Sequence, residues 1–155
     1  MRKFLLAIAA LLAASSVPAA AQDREVPYWA SLKSEEVNMR VGPSRDFEIE
    51  WVYKRKGLPL KVVRVVDGWR LVRDPDGEEG WVASSLLTLA PHAMVVGDEW
   101  AAIRADPADN GTLKWNAEPG VVGSLGKCEA GWCEFDVGGR MGWVKQDRLW
   151  GAGEP

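Results

Sequence analysis

The sequence predicts an all-β protein built from two small barrels in tandem. Three observations predict this class. A block of about sixty residues occurs twice, alternating apolar and polar runs are separated by glycine-containing turns every eight to twelve residues, and no stretch after position 21 has helical periodicity over ten or more residues. A repeat of this length is too long for a solenoid unit and long enough for a small domain.

The two copies share a set of glycine, arginine and tryptophan positions. The shared positions are 62 to 64 residues apart, so the copies differ only by single-residue gaps. The matching positions are Arg40 and Arg104, Trp51 and Trp115, Gly57 and Gly120, Gly68-Trp69 and Gly131-Trp132, and Gly80-Trp81-Val82 and Gly142-Trp143-Val144. Because one module is used twice, the pattern favours binding over catalysis.

Residues 1–21 have the composition of an export signal. Met1-Arg2-Lys3 is positively charged, residues 4–14 are apolar, and small residues at 19–21 suit a cleavage site. The apolar stretch of eleven residues spans only about half of a membrane core, so we expect cleavage after Ala21 and no stable membrane insertion. The mature protein is therefore predicted to be periplasmic or secreted.

The first barrel is expected over residues 34–89, after a lead-in linker at 22–33. Alternating or β-branched patterns predict strands at residues 37–41, 49–53, 58–66, 69–73 and 79–82. Asp67-Gly68 is the strongest hairpin signal in the chain, and residues 84–87 predict one helical turn before a last short strand. Short strands joined by tight turns are typical of a strongly bent barrel.

The second barrel is expected over residues 98–151, between a linker at 90–97 and a tail at 152–155. The same reasoning predicts strands at residues 100–104, 113–115, 121–128, 132–137 and 140–144. His92 is the one histidine of the sequence, and we expect it to be a solvated linker residue.

Charge and composition exclude several function classes. Nineteen Lys and Arg are opposed by 22 Asp and Glu, and neither copy is basic, so a general affinity for nucleic acid is excluded. One histidine without a dedicated carboxylate set predicts no metal site, and we find no catalytic residues and no cofactor motif. The carboxylates are expected on wet strand faces and turns, not as a hydrolytic pair; they include Glu48, Glu50, Asp74, Asp76, Glu78 and Glu79.

The opening of the first copy resembles a known family. Asn38-Met39-Arg40-Val41-Gly42-Pro43-Ser44, followed by Gly68-Trp69 and Gly80-Trp81-Val82, is similar to the bacterial Src-homology-3 (SH3b-like) domain of exported cell-envelope proteins. The resemblance covers residues 36–88 and, less closely, 98–150, where Ala105-Asp106-Pro107 replaces the family's Val-Gly-Pro. It implies two SH3-like barrels of five or six strands and, in several members, recognition of cell-wall peptides or targeting of attached hydrolases.

Cys128 and Cys133 are the only cysteines, and they flank a tight turn at 129–132. Opposed positions across a hairpin lie within reach of a disulfide, and an exported protein meets oxidising conditions. The alternatives are a redox pair or half of a metal site, but the spacing and the missing partner ligands favour the structural disulfide.

Five residues of the first copy form the candidate ligand site: Arg40, Arg45, Trp51, Tyr53 and Trp69. Trp51 and Tyr53 share a strand face beside the basic tip Lys54-Arg55-Lys56, which suits an acidic peptide or a sugar, although the same face also suits a partly buried barrel lining. The guanidinium groups of Arg40 and Arg45 match the carboxylates of a wall peptide.

The predicted function is therefore non-enzymatic binding in the cell envelope, with a peptidoglycan peptide as the ligand. The alternative is a structural or protein-interaction subunit of the periplasm with no wall ligand, for which the partner is an envelope protein.

Overall fold

The computed structural model describes residues 24–155, and the predicted signal peptide lies outside these residues. The predicted all-β class is confirmed, because the chain forms two antiparallel sheets of seven strands each. Among residues 24–155, no helix has the length and apolar character needed to cross a membrane. The two sheets follow each other along the chain as two modules.

Module 1 contains the first seven strands and one 3-10 turn at Ser84–Leu86. The strands are β1 (Tyr28–Leu32), β2 (Val37–Arg40), β3 (Ile49–Tyr53), β4 (Pro59–Val66), β5 (Trp69–Arg73), β6 (Glu79–Ala83) and β7 (Leu87–Thr88). Their order in the sheet is β3-β2-β6-β5-β4-β1-β7. The predicted helical turn and the five predicted inner strands are confirmed to within a few residues.

Module 2 repeats this arrangement, with its 3-10 turn at Gln146–Arg148. The strands are β8 (His92–Val95), β9 (Ala101–Arg104), β10 (Leu113–Ala117), β11 (Val122–Glu129), β12 (Trp132–Val137), β13 (Arg140–Lys145) and β14 (Leu149–Trp150). The order β10-β9-β13-β12-β11-β8-β14 is that of module 1 shifted by seven strands. The internal repeat seen in the sequence is therefore a repeat of topology.

The two predicted linkers are wrong in part, because each contains a strand. β1 lies within residues 22–33 and β8 lies within residues 90–97, and each strand fills the gap between the fourth and seventh strands of its sheet. Leu32 is 1% exposed and Val95 is 0% exposed, so both strands contribute to the cores. A sheet without them would leave the backbone of β4 and β11 unpaired on one side.

His92 is also not the solvated linker residue that we predicted. It is half-buried at the start of β8, pairs with Ser124 of β11, and its Nδ1 lies 3.0 Å from the carbonyl oxygen of Ala90. Gly57 of module 1 approaches its ring so closely that an added Cβ would come within 3.0 Å of His92 Cδ2. The backbone of Gly57 also has φ +79°, so both the close approach to His92 and the backbone conformation favour glycine.

Two tryptophans join the modules. The indole of Trp150 donates a hydrogen bond to the Pro59 carbonyl at 2.9 Å, and the indole of Trp29 donates one to the Gly153 carbonyl at 2.9 Å. The two rings meet edge to face at 4.9 Å, and Lys61 Nζ lies 5.4 Å from both centroids. These side chains, from both ends of the described chain, fix one module against the other.

Candidate functional site

A cleft of about 640 Å³ opens on module 1 between β3 and the turn that joins β5 to β6. We call it the module 1 cleft, and its lining includes Glu50, Trp51, Tyr53, Arg55, Asp74, Asp76 and Glu78. Trp51 is 58% exposed at its mouth, and Tyr53 is 5% exposed at its floor. The strand face therefore runs from solvent down into the edge of the core.

A β-bulge in β3 shapes the cleft. Trp51 lies opposite Met39 and Ile49 lies opposite Arg40, so Glu50 is the extra residue between them. In a regular strand, successive side chains point to opposite faces. The bulge breaks this alternation, and both Glu50 and Trp51 line the cleft.

The floor of the cleft is a buried hydrogen-bond network around Asp74, which is 7% exposed. The Tyr53 hydroxyl donates to one carboxylate oxygen of Asp74 at 3.2 Å, and the backbone N–H groups of Asp76 and Glu78 donate to the other at 3.0 and 2.9 Å. Burial raises the pKa of the Tyr53 phenol far above its usual range, and Asp74 raises it further. The floor is thus a neutral phenol held by a carboxylate.

The rim of the cleft carries three exposed carboxylates, those of Glu50, Asp76 and Glu78. Within residues 24–155, none of the three forms an ion pair. The cation in the lining, Arg55, donates to the carbonyl oxygen of Gly120 in module 2 and is thereby held at the module interface. The mouth around Trp51 therefore has an excess of unpaired negative charge.

The structure brings together only two of the five predicted ligand residues, Trp51 and Tyr53. Arg40 does not line the cleft; its Nη1 donates to the carbonyl oxygens of Arg45 and Phe47 at 3.0 and 2.6 Å and so braces the loop after β2. The Arg45 side chain is exposed on that loop, and Trp69 is half-buried in β5. Neither Arg45 nor Trp69 lines the cleft.

The bracing role of Arg40 recurs in module 2. Arg104 stands at the same place in β9, and its Nη1 donates to the carbonyl oxygen of Gly111 at 2.8 Å. Because both copies use this arginine to hold the following loop, its repetition in the sequence is explained by architecture.

Module 2 has a different structure at the position of the cleft. The strand register is the same in both modules, and it places Trp115 where module 1 has Trp51 and Lys114 at the bulge position of Glu50. Ala117 replaces Tyr53, and Val137 replaces Asp74, so the buried network is lost. The equivalent surface therefore keeps a tryptophan but has a basic side chain where module 1 has Glu50.

A side chain of module 2 covers its own tryptophan. The guanidinium carbon of Arg140 lies 4.5 Å from the ring centroid of Trp115. The indole nitrogen of Trp115 is buried, in contrast to the open ring of Trp51. Trp115 is thus covered where Trp51 is open.

The predicted disulfide between Cys128 and Cys133 is confirmed. The two residues are directly opposed between β11 and β12, with their Cα atoms 4.0 Å apart. The turn between them contains Ala130 and Gly131, both with positive φ, which is the geometry that a tight hairpin requires. The bridge lies in module 2, away from the cleft.

The expectation of solvated carboxylates holds for Glu50, Asp76 and Glu78 but is wrong for Asp74, which is buried, and the sequence did not predict that the three exposed carboxylates line one cleft. The signal was the length of one turn, since module 1 has Pro75-Asp76-Gly77-Glu78 between Asp74 and Glu79, where module 2 has only Gly138-Gly139-Arg140. The longer turn places Asp76 and Glu78 over the cleft. Within residues 24–155, no group of three His, Cys, Asp or Glu side chains is arranged to hold a metal ion.

Comparison with known proteins gives one family and several distant solved structures, two of which are described here. The family described as bacterial SH3 domain matches residues 33–88 and 97–151. NlpC1 from Trichomonas vaginalis is 15% identical in sequence with a TM-score of 0.37, and the match covers 83% of this chain and 47% of NlpC1. NlpC2 from the same organism is 14% identical with a TM-score of 0.37, and the match covers 83% of this chain and 49% of NlpC2. The chain thus spans about half the length of these solved chains. No curated protein matches it.

Proposed function

The chain belongs to the bacterial SH3 domain family, and on that premise we propose that it is an exported, non-enzymatic binding protein of the cell envelope. Its ligand is a peptide of the cell wall, and its binding site is the module 1 cleft. The export signal that the first 21 residues resemble supports this location.

The observation that carries the proposal is the exposure of Trp51 above an ordered floor. A tryptophan that serves only the core is buried, yet Trp51 is 58% exposed, and the Tyr53–Asp74 network beneath it holds the surrounding turn in place. Clefts of roughly 300–1,000 Å³ with aromatic walls and a few fixed polar groups are typical ligand sites. The cleft volume of about 640 Å³ falls in this range.

Module 2 has a supporting role in this proposal. Its equivalent tryptophan is covered by Arg140, its disulfide links two of its own strands, and Trp150 joins it to module 1 through a hydrogen bond to Pro59. In this proposal, module 1 binds the ligand and module 2 stabilises module 1. The carboxylate-pairing role predicted for Arg40 is not retained, because the loop carbonyls already occupy its guanidinium.

The test is retention of the purified mature protein on isolated sacculi. Trp51→Ala should abolish retention, and Trp100→Ala is the matched control because Trp100 is 59% exposed but lies in module 2, outside the module 1 cleft. If the wild type is not retained, or if both variants lose retention equally, the cleft is not a wall-binding site. The protein-interaction alternative predicts no retention and a co-purifying envelope protein that is lost with Trp51→Ala.

A further inference from the structure

The geometry points to the charge of the group that the module 1 cleft binds. We propose that it is a cation, which in a wall peptide is a protonated primary amine, seated on the Trp51 ring and held by Glu50, Asp76 and Glu78. This inference rests on the proposed function for the identity of the peptide. The cation itself is argued from the two modules alone.

Module 2 contains a cation at the place that corresponds to the module 1 cleft. Arg140 stacks on Trp115 at 4.5 Å, and Trp115 is the counterpart of Trp51. Arg140 lies opposite Val137, as Glu78 lies opposite Asp74 through a 3.0 Å backbone hydrogen bond, so Arg140 and Glu78 are counterparts too. Within residues 24–155, no such cation stacks on Trp51, so module 2 supplies from its own chain what module 1 lacks.

The charge of the module 1 cleft also favours a cation at the open Trp51 ring. The face of an indole attracts cations because its quadrupole is negative. Glu50, Asp76 and Glu78 line the same cleft as the Trp51 ring and form no ion pair within residues 24–155. A carboxylate ligand would be repelled by all three, and an ammonium group would be attracted both by them and by the ring.

The cation in the cleft lining is already engaged within the protein. Arg55 donates to the carbonyl oxygen of Gly120. In module 2, Arg140 is stacked on Trp115 and Lys114 donates to the carbonyl oxygen of Met141. These cations are used within their own molecule and leave the open face of Trp51 to a ligand, for which a peptide amine has the required charge.

Two binding measurements test the inference. In the first, sacculi are treated with acetic anhydride, which converts their free amines to uncharged amides, and retention is compared with untreated sacculi. In the second, the tryptophan fluorescence of the protein is titrated with acetyl-Ala-Lys-Ala-amide and with the norleucine analogue, which has the same shape without the charge. We expect acetylation to abolish retention, and the lysine peptide to bind roughly tenfold more tightly than the norleucine peptide.

A charge-reversal variant provides the structural control. Glu78→Arg places the side chain found in module 2 beside Trp51 and should prevent binding of the lysine peptide. Glu35→Arg changes the net charge equally at an exposed residue that does not line the cleft, and it should leave binding unchanged. Circular dichroism checks that both variants are folded.

The outcomes separate this inference from the proposed function. Retention on untreated sacculi that survives acetylation would overturn the amine and leave wall binding intact. Binding of the lysine peptide without any retention on sacculi would support the cation site and overturn the wall ligand. Equal affinity for the lysine and norleucine peptides, or equal effects of Glu78→Arg and Glu35→Arg, would overturn the cation site.

Discussion

The Asp74 carboxylate should be the most costly single polar group to remove from module 1. It is 7% exposed and accepts three hydrogen bonds, two from the backbone N–H groups of Asp76 and Glu78 and one from the Tyr53 hydroxyl. Each bond contributes on the order of 1 kcal/mol net, so Asp74→Ala should lower the free energy of unfolding by about 3 kcal/mol. That is a large share of the stability of a small domain.

The assay is equilibrium unfolding in urea, followed by circular dichroism. Asp74→Asn keeps an acceptor for the two backbone N–H groups and should cost only about 1 kcal/mol. Asp76→Ala removes the same charge from an exposed side chain and should change stability by less than about 0.5 kcal/mol. Equal stabilities for Asp74→Ala and Asp76→Ala would refute the reasoning that the network orders the cleft.

Three further predictions concern other parts of the molecule. The raised pKa of Tyr53 favours its neutral form in the folded state. The contribution of Tyr53 to the free energy of unfolding is therefore complete below about pH 10 and falls by roughly 1 kcal/mol by pH 11. Urea unfolding of Tyr53→Phe should lack this loss. Trp150→Ala removes a ring contact and a hydrogen bond between the modules. Calorimetry should therefore show a free energy of unfolding lower by about 2 kcal/mol and two separate unfolding transitions. Neither change should appear for Trp100→Ala, because Trp100 is exposed. Reduction of Cys128–Cys133 opens a short loop and should destabilise module 2 by about 2 kcal/mol in urea, and an unchanged midpoint would contradict this role.

The strands that the sequence predicted correctly are those whose evidence is local. Alternation at residues 49–53 and the Asp67-Gly68 turn lie within a few residues of the structures that they specify. β1 and β8 were missed because their partners are remote: Ala30 pairs with Leu60, about thirty positions along the chain. Short segments of this kind form strands only because neighbouring strands of the folded sheet pair with them.

The candidate site follows the same rule. Trp51 and Tyr53 were found because alternation places them on one face, and Cys128 and Cys133 because they flank a hairpin turn. Arg40 was predicted to bind the ligand, whereas its guanidinium donates to carbonyl oxygens of the loop after β2. The path of that loop, and therefore this contact, could not be predicted from the sequence. The rim carboxylates were missed because their position depends on the longer turn after Asp74.

The most direct test of the account is to observe which tryptophan responds to the ligand. Each indole N–H gives a separate resonance in a ¹⁵N-labelled protein, and soluble wall peptides with a free amine are the probe. The account predicts that the Trp51 resonance shifts first and most strongly while that of Trp115 stays unchanged. A response centred on Trp115, or none at Trp51 at saturating peptide, would contradict the assignment of binding to module 1.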